Sequence, residues 1–249
     1  MRVLGVIPAR LSSTRIPNKP LQLLAGEPLV TRVIQRVRAL GLVDDLVVAT
    51  DSTMVARVVE LTGVRAVLTR DSHVTGTERV AEVAELPEYA GHDVIVNVQG
   101  DEPFLPRAAL AGALGRVTAG DDIGTAAAPL PAENAADPAR VKVVADREGR
   151  ALYFSRAVIP YRQDKGSPSA GLYWQHLGVY VYRREALARW TRLPPSLAEE
   201  AERLEQLRAL YHGLRVGVAQ LDEAVEPGVD TPEDLRRAEA HWLAEEAQR

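Results

Sequence analysis

Three cations and three hydroxyls fall within ten residues near the start of the chain: Arg10, Ser12, Ser13, Thr14, Arg15 and Lys19. A polyphosphate needs this combination. Positive charge offsets its own, and short donors, backbone N–H groups included, fix its oxygens. The chain has three lysines against 27 arginines. A compact point charge at Lys19 therefore stands out, where a phosphate would use it. A solvated basic loop is the alternative, and a complementary group elsewhere in the chain has to separate the two.

Asp101 and Glu102 supply that group. They follow an apolar run, Asp93 to Val98, and sit between Gly100, which allows close backbone approach, and Pro103, which fixes the exit. A carboxylate at a strand's carboxyl end, facing a polyphosphate loop, is where Mg²⁺ would be held. An Asp-Glu turn before a helix starting near Pro106 is the plainer account. Thr75-Gly76-Thr77 offers small donors at a helix start, where a base edge or phosphate could sit, though an ordinary N-cap explains it as well. Thr231, Pro232 and Asp234 make a good helix start. That local chemistry leaves Asp230, just before the cap, without a structural task.

The elements that must position these residues alternate. Residues 2–8 read as a buried strand, so the basic segment is a loop at its carboxyl end, where ligands bind in open α/β sheets. Pro28 suits the first turn of a helix to about Leu40, and Gly41 suits its cap. Asp45–Thr50 is a second strand. Asp51 or Ser52 can cap a helix through Leu61, and Arg65–Leu68 is a third strand. A helix follows through Leu86, then a fourth strand at Asp93–Val98. This β-α-β-α-β pattern argues for a parallel sheet with right-handed crossovers.

Beyond this the texture changes. Asp121–Pro129 reads as a further strand, with a sheet edge one option. Val141–Ala145 and Ala151–Phe154 read as a hairpin, Gln163–Gly171 as a mobile polar loop, and His176–Tyr182 as a strong strand. Residues from about 130 to 190 thus look like an inserted substrate lobe. A helix is expected from about Leu197 to Tyr211. Leu204, Leu207 and Leu210 form its apolar stripe, and Glu199, Glu200, Glu202 and Glu205 crowd its first half as a partly solvated face. Leu214–Gln220 is another strand before the last helix.

Composition bounds the class. The chain has 249 residues, 46% apolar and 26% charged, enough for one α/β domain or a domain with a small lobe. It has no cysteine, so thiolate metal sites and cysteine nucleophiles are excluded. No apolar stretch approaches the ~18 residues of a membrane span, and the start lacks the order of a signal peptide. The net charge of −4 gives no reason to expect nucleic acid. A cytoplasmic enzyme fits, with neither nucleic acid nor membrane as a partner.

Taken together the motifs resemble a known family. Ile7-Pro-Ala-Arg10, Ser13-Thr-Arg15 and Pro17-Asn-Lys19-Pro20 are similar to the signature loop of sugar cytidylyltransferases. The resemblance narrows to the 3-deoxy-manno-octulosonate (Kdo) cytidylyltransferases, or CMP-Kdo synthetases. It does so through Thr75-Gly-Thr-Glu-Arg79, Val96-Asn-Val-Gln99-Gly-Asp-Glu-Pro103 and Ala151-Leu-Tyr-Phe-Ser-Arg156. His176-Leu-Gly, Leu204-Glu-Gln-Leu-Arg208 and Gly228-Val-Asp230-Thr-Pro-Glu-Asp-Leu235 follow in the same order. The match runs nearly the whole length. It implies a Rossmann-like α/β nucleotidyltransferase fold, its sheet mostly parallel with helices on both faces. The chain would be a single domain, residues 1–249, with a smaller mixed α+β sugar-binding and dimerisation lobe. The implied reaction joins CTP and Kdo into CMP-Kdo and pyrophosphate, with Mg²⁺, in a cytoplasmic homodimer serving lipopolysaccharide biosynthesis.

Carried over by motif, Arg10, Ser13, Arg15 and Lys19 would bind the triphosphate, with Ala9 near the base or ribose. Thr75, Gly76 and Thr77 would help hold cytosine or ribose, with Arg79 nearby. Asp101 and Asp230 would be the magnesium ligands. With Lys19 and Arg10 they would carry the catalysis. Gln99, Arg156, His176, Tyr180, Glu202, Glu205 and Gln206 would surround the sugar acid.

Three departures stand out. Asn18 replaces a common glycine, residues 199–202 are more acidic than usual, and residues 162–175 are shorter. The last two touch the sugar side, so an 8-amino-Kdo or a sialic acid-like substrate is the nearest alternative. A nucleotide-sugar glycosyltransferase would want a closely spaced Asp-X-Asp, which Asp101-Glu102-Pro103 lacks. A non-catalytic nucleotide-binding regulator would have no use for Asp230 and Arg156 beside the loop.

Overall fold

The computed structural model describes residues 1–12, 15–164 and 171–246. In chain order the elements are strand β1 (Val3–Pro8), the two-residue strands β2 (Leu23–Leu24) and β3 (Glu27–Pro28), helix α1 (Leu29–Leu40), β4 (Asp45–Thr50), α2 (Thr53–Glu60) and β5 (Arg65–Leu68). Then come α3 (Gly76–Ala84), β6 (Val94–Val98), α4 (Arg107–Thr118), β7 (Ile123–Pro129), β8 (Lys142–Ala145), β9 (Ala151–Ser155) and β10 (Trp174–Arg183). The last are α5 (Arg184–Trp190), α6 (Leu197–Glu202), α7 (Gln206–Tyr211), β11 (Val216–Gln220) and α8 (Pro232–Glu246). They divide into two compact units. One holds Met1–Pro106 and Val225–Arg249, the other Arg107–Ala224.

The first unit is built on parallel strands in the order β6-β1-β4-β5. β1 and β6 are near-continuous apolar runs and almost wholly buried, as parallel strands covered by helices are. The sequence-readable caps are all used. Gly41 closes α1 in the left-handed conformation, and the Ser52 side chain accepts from the Val55 N–H at the start of α2. Thr75 and Glu78 form a reciprocal capping box on α3. α1 turns Val30, Val33, Ile34 and Val37 fully into the core.

The second unit is mixed. β7 pairs antiparallel with β10 and parallel with β11, while β8 joins β10 to β9. β7 therefore lies inside its sheet and not at an edge, the option that the sequence left open. Gly124 makes room for α4, since a Cβ there would clash with the Ala113 carbonyl. Trp190, Tyr182, Lys142 and Phe154 are the largest buried side chains here. α5 was not foreseen from the sequence.

The helix expected from Leu197 to Tyr211 is two helices. Arg203 closes α6 in the left-handed conformation, with φ 55° and ψ 47°, a role usually signalled by glycine. The Glu199 charge is also not a solvated one. Its carboxylate accepts from Arg208 Nη2 at 2.6 Å and Nε at 2.8 Å, nearly out of water. The expected mobile loop at Gln163–Gly171 falls mostly outside the described residues.

The tight seam between β7 and α4 makes a direct stability test. Gly124→Ala forces a backbone shift and should cost about 1–3 kcal/mol or more. Thermal unfolding should show the lowered Tm, while Gly115→Ala on α4, where an added Cβ meets open space, should leave Tm unchanged or raised.

Candidate functional site

The first unit gathers most of the expected site residues at the carboxyl ends of β1 and β6. β1 runs on through Ala9, whose N–H donates to the Ala49 carbonyl at 2.8 Å. Arg10 follows and is exposed. Ser13 lies outside the described residues. Asn18 takes the left-handed conformation, φ 51° and ψ 38°, and opens a single 3₁₀ turn over Lys19–Leu21. Asparagine is among the few residues that tolerate this conformation, so the departure from glycine costs little.

Lys19 points at two carboxylates. Its Nζ lies 2.5 Å from Asp101 Oδ2 and 2.9 Å from Asp230 Oδ1. Arg15 Nη2 reaches the same Asp230 oxygen at 2.9 Å. Burial works against a charged Lys19, but the two carboxylates outweigh it and hold its pKa above the ordinary 10.5. Residues 82 and 211 positions apart in sequence thus meet on one ammonium group.

Local chemistry explains the approach. A Cβ at Gly100 would lie 2.8 Å from the Pro8 carbonyl, so only glycine lets the end of β6 close on the end of β1. The Val229 N–H donates to the Asp101 carbonyl at 2.9 Å, which ties the segment before α8 to the segment after β6. The Asp234 carboxylate accepts from the N–H groups of Asp230 and Thr231 and from the Thr231 hydroxyl. Burial pushes the Asp234 pKa up, yet those donors and Arg237 win and hold it below the usual carboxylate range. The cap chemistry at α8 therefore orients Asp230. Ile16, Leu24, Leu29, Val229 and Ala238 form one buried cluster beneath.

The Thr75–Thr77 motif reaches the same strand ends. A Cβ at Gly76 would touch the Pro8 ring at 3.4 Å and Gln99 Oε1 at 3.7 Å. Thr75 is engaged as the cap and Thr77 is buried. Arg79 is buried too, and its guanidinium is turned inward. It binds Asp51, Thr69 Oγ1 and the Arg70 carbonyl. Asp101 and Asp230 are the pair that could hold a divalent cation. Among the described residues no cluster of three or more His, Asp or Glu forms a closed metal site.

The second unit holds most of the expected sugar-side residues, in two groups. Glu202 accepts from Ser155 Oγ at 2.5 Å and from the Arg156 N–H at 2.9 Å. The Arg156 guanidinium donates to the carbonyls of Glu202 at 2.8 Å, Pro138 at 2.9 Å and Arg203 at 3.5 Å. The Arg156 carbonyl in turn accepts from Lys142 Nζ at 2.6 Å, a fully buried lysine whose pKa burial lowers. Sequence reasoning missed Ser155 and Lys142. The signal for Lys142 was available, since lysine is rare in this chain.

The second group centres on His176. Its Nε2 lies 2.9 Å from Thr125 Oγ1, and Thr125 donates its own proton to the Val179 carbonyl. Nε2 must therefore carry the hydrogen. The rings of Phe154 and Tyr180 pack against the imidazole. Burial lifts Tyr180 well above the ordinary tyrosine range, with Tyr182 and Glu205 adding to it. Glu205 caps α7 and Gln206, its first residue, is buried.

Burial pushes His176 down to about 3, so it is neutral at pH 7. In an unfolded chain histidine titrates near 6.5. Between those values the unfolded state binds a proton that the folded state refuses, so stability falls as the pH drops from about 6.5 towards 3. His176→Gln should lack this loss. Urea unfolding at pH 7.5 and 4.5 should show the wild type losing more stability than the variant; equal losses would mean the imidazole protonates freely in the folded state.

Comparison with known proteins places this geometry. A family model described as "Cytidylyltransferase" matches residues 4–216. The 3-deoxy-manno-octulosonate cytidylyltransferase of Gemmatimonas aurantiaca is 53% identical over 245 residues, 97% of this chain and 95% of that protein. The protein of the same name from Methylococcus capsulatus is 47% identical, with 95% of each chain covered. A solved structure of CMP:2-keto-3-deoxy-manno-octonic acid synthetase complexed with CTP superposes with a TM-score of 0.90 at 36% identity, over 98% of this chain and all of that one. A Bacillus anthracis structure described as a putative glucose-1-phosphate thymidylyltransferase shares the fold alone, at TM-score 0.66 and 16% identity. By family model, full-length relatives and fold, the chain belongs to the cytidylyltransferases, among those that bear the name 3-deoxy-manno-octulosonate cytidylyltransferase.

Proposed function

We propose that this chain transfers a cytidylyl group from CTP to Kdo, giving CMP-Kdo and pyrophosphate. The observation that carries the reading is the single ammonium group shared by Asp101 and Asp230 beside a basic loop. Two carboxylates held this close need a cation between them, and Lys19 supplies it when no nucleotide is present. The oxygen-only, two-carboxylate set fits Mg²⁺, which takes its remaining ligands from water and phosphate oxygens. Bound there, the ion would lower the pKa of the sugar's anomeric hydroxyl and neutralise charge on the α-phosphate.

The chain's own residues do the rest. Lys19 turns from the carboxylates to the triphosphate, and with Arg10 and Arg15 offsets the charge that builds on the leaving pyrophosphate. The anomeric oxygen bonds to the α-phosphorus as the bond to the β-phosphate oxygen breaks, and the hydroxyl proton is released. The enzyme forms no covalent bond to the substrate. Arg156 offers its remaining donors to the sugar carboxylate, and Glu202 and Glu205 face sugar hydroxyls. Neutral His176 is a contact and not a base. Glu199 is spent on Arg208 inside the protein. The extra acidity of that segment is thus no reason to prefer a different sugar acid.

The same reading carries a cytoplasmic homodimer. β9 is paired on one side, with β8, and leaves Leu152 and Tyr153 exposed. Such an edge is available to a second copy. Among the described residues no helix is long and apolar enough to cross a membrane. Light scattering should give twice the chain mass of 27.1 kDa.

Pyrophosphate release with CTP and Mg²⁺ tests the activity against Kdo, an 8-amino analogue, a sialic acid and a sugar 1-phosphate. Kdo should turn over, and the sugar 1-phosphate should not. Asp101→Asn and Asp230→Asn should each lose about 10³-fold or more in kcat, in line with removal of a group that stabilises transition-state charge, while keeping the wild-type circular dichroism. A variant with near-full activity would remove its carboxylate from the mechanism.

A further inference from the structure

The loop after β1 is held from behind by a chain of polar contacts that none of the roles above uses. Asp51, at the end of β4, accepts from the Leu11 N–H through Oδ1 at 3.0 Å. Its other oxygen accepts from Arg79 Nη2 at 3.0 Å. The two side chains are 15% and 3% exposed. Arg79 Nη1 reaches Thr69 Oγ1 and the Arg70 carbonyl. Thr69, just past β5, donates through both its N–H and its hydroxyl to the Thr50 carbonyl. A single buried guanidinium thus connects α3, the ends of β4 and β5, and the backbone of the loop.

We infer that Asp51 and Arg79 are positioning residues for the nucleotide, acting through the Leu11 amide to fix the Ala9–Leu11 backbone and hence the direction of Arg10. A buried charge pair of this kind would be an expensive way to hold an ordinary turn. Both carboxylate oxygens of Asp51 are engaged, and their two lines of contact run at the loop and at the helix that carries Thr75–Thr77. The pair therefore couples the two segments expected to grip the nucleotide. Sub-ångström placement of such a segment matters because misplacement of about 1 Å can cost on the order of 10²-fold in rate.

The inference rests on the proposed CTP site, and the test separates the two. CTP binding is measured by equilibrium titration, and KM is measured for CTP and for Kdo, on the full chain with Mg²⁺. Asp51→Ala should raise the dissociation constant and KM for CTP by about 10- to 100-fold, with KM for Kdo within about twofold. Asp51→Asn keeps an oxygen for the Leu11 N–H and should recover most of the CTP affinity. Asp51→Ala also strands a buried arginine, so Asp51→Ala with Arg79→Met serves as the second variant. It removes both charges and should show the same CTP-selective loss at a measurable Tm. A folded Asp51→Ala or double variant that binds CTP like the wild type overturns the inference alone. Equal losses for CTP and Kdo overturn it as well, since that pattern is general damage. A wild type that does not bind CTP removes the functional reading and this inference with it.

Discussion

Everything at the proposed active site depends on one ammonium group lying between two carboxylates. Asp101 and Asp230 belong to segments 129 residues apart in sequence, and their like charges oppose the approach that the fold imposes. Lys19 resolves that conflict, with Arg15 adding a second cation on Asp230. The arrangement has a chemical consequence. The carboxylates are set for a cation, and the cation now there has a long flexible stem. Under the proposed reading, Asp101 and Asp230 would hold Mg²⁺ and the long stem of Lys19 would let its ammonium group serve the triphosphate instead.

That site is only as good as the backbone beneath it, and the backbone is fixed by short-range constraints. Gly100 removes the one side chain that would separate β6 from β1 at their ends. The Val229 amide fastens the Asp230 segment to the Asp101 carbonyl. Ile16 and Val229, each next to a charged site residue, share one apolar cluster with α8. Burial of those side chains, at roughly 25 cal/mol per Å² of apolar surface, holds the charged residues against their mutual repulsion. The charged cluster thus sits on a hydrophobic floor that includes immediate sequence neighbours of Arg15 and Asp230.

The parts of this protein legible in its sequence were those with local causes. The β-α-β alternation of the first unit, the caps at Gly41, Ser52 and Thr75, and the hairpin β8–β9 follow from patterns a few residues long. Asp230 could be flagged because the Thr231–Asp234 cap explained its neighbours and left it over. Failures came where the cause was distant or silent. Arg203 breaks a helix with no glycine to announce it. β7 could be read as an edge because its partners β10 and β11 come much later in the chain, and the Gly124 seam with α4 leaves no local sign of them. Glu199 looked solvated because its partner, Arg208, comes from the next helix. The motif that carries Arg79 gave no hint that its guanidinium binds Asp51, 28 residues earlier.

Arg156 shows how one residue can serve both structure and ligand. A guanidinium has five N–H donors in a fixed fork. Among the described residues three contacts run to the backbone carbonyls of Glu202, Pro138 and Arg203. Neutral acceptors do not cancel its charge, and the Glu202 carboxylate accepts from Ser155 Oγ and from the Arg156 amide. Arg156 is therefore oriented by backbone carbonyls, which leave its positive charge in place. Pairing it with a side-chain carboxylate would have held it as firmly but would have used the charge. Under the proposed reading the sugar acid's carboxylate supplies the charged partner, while the carbonyls keep the guanidinium in place to receive it.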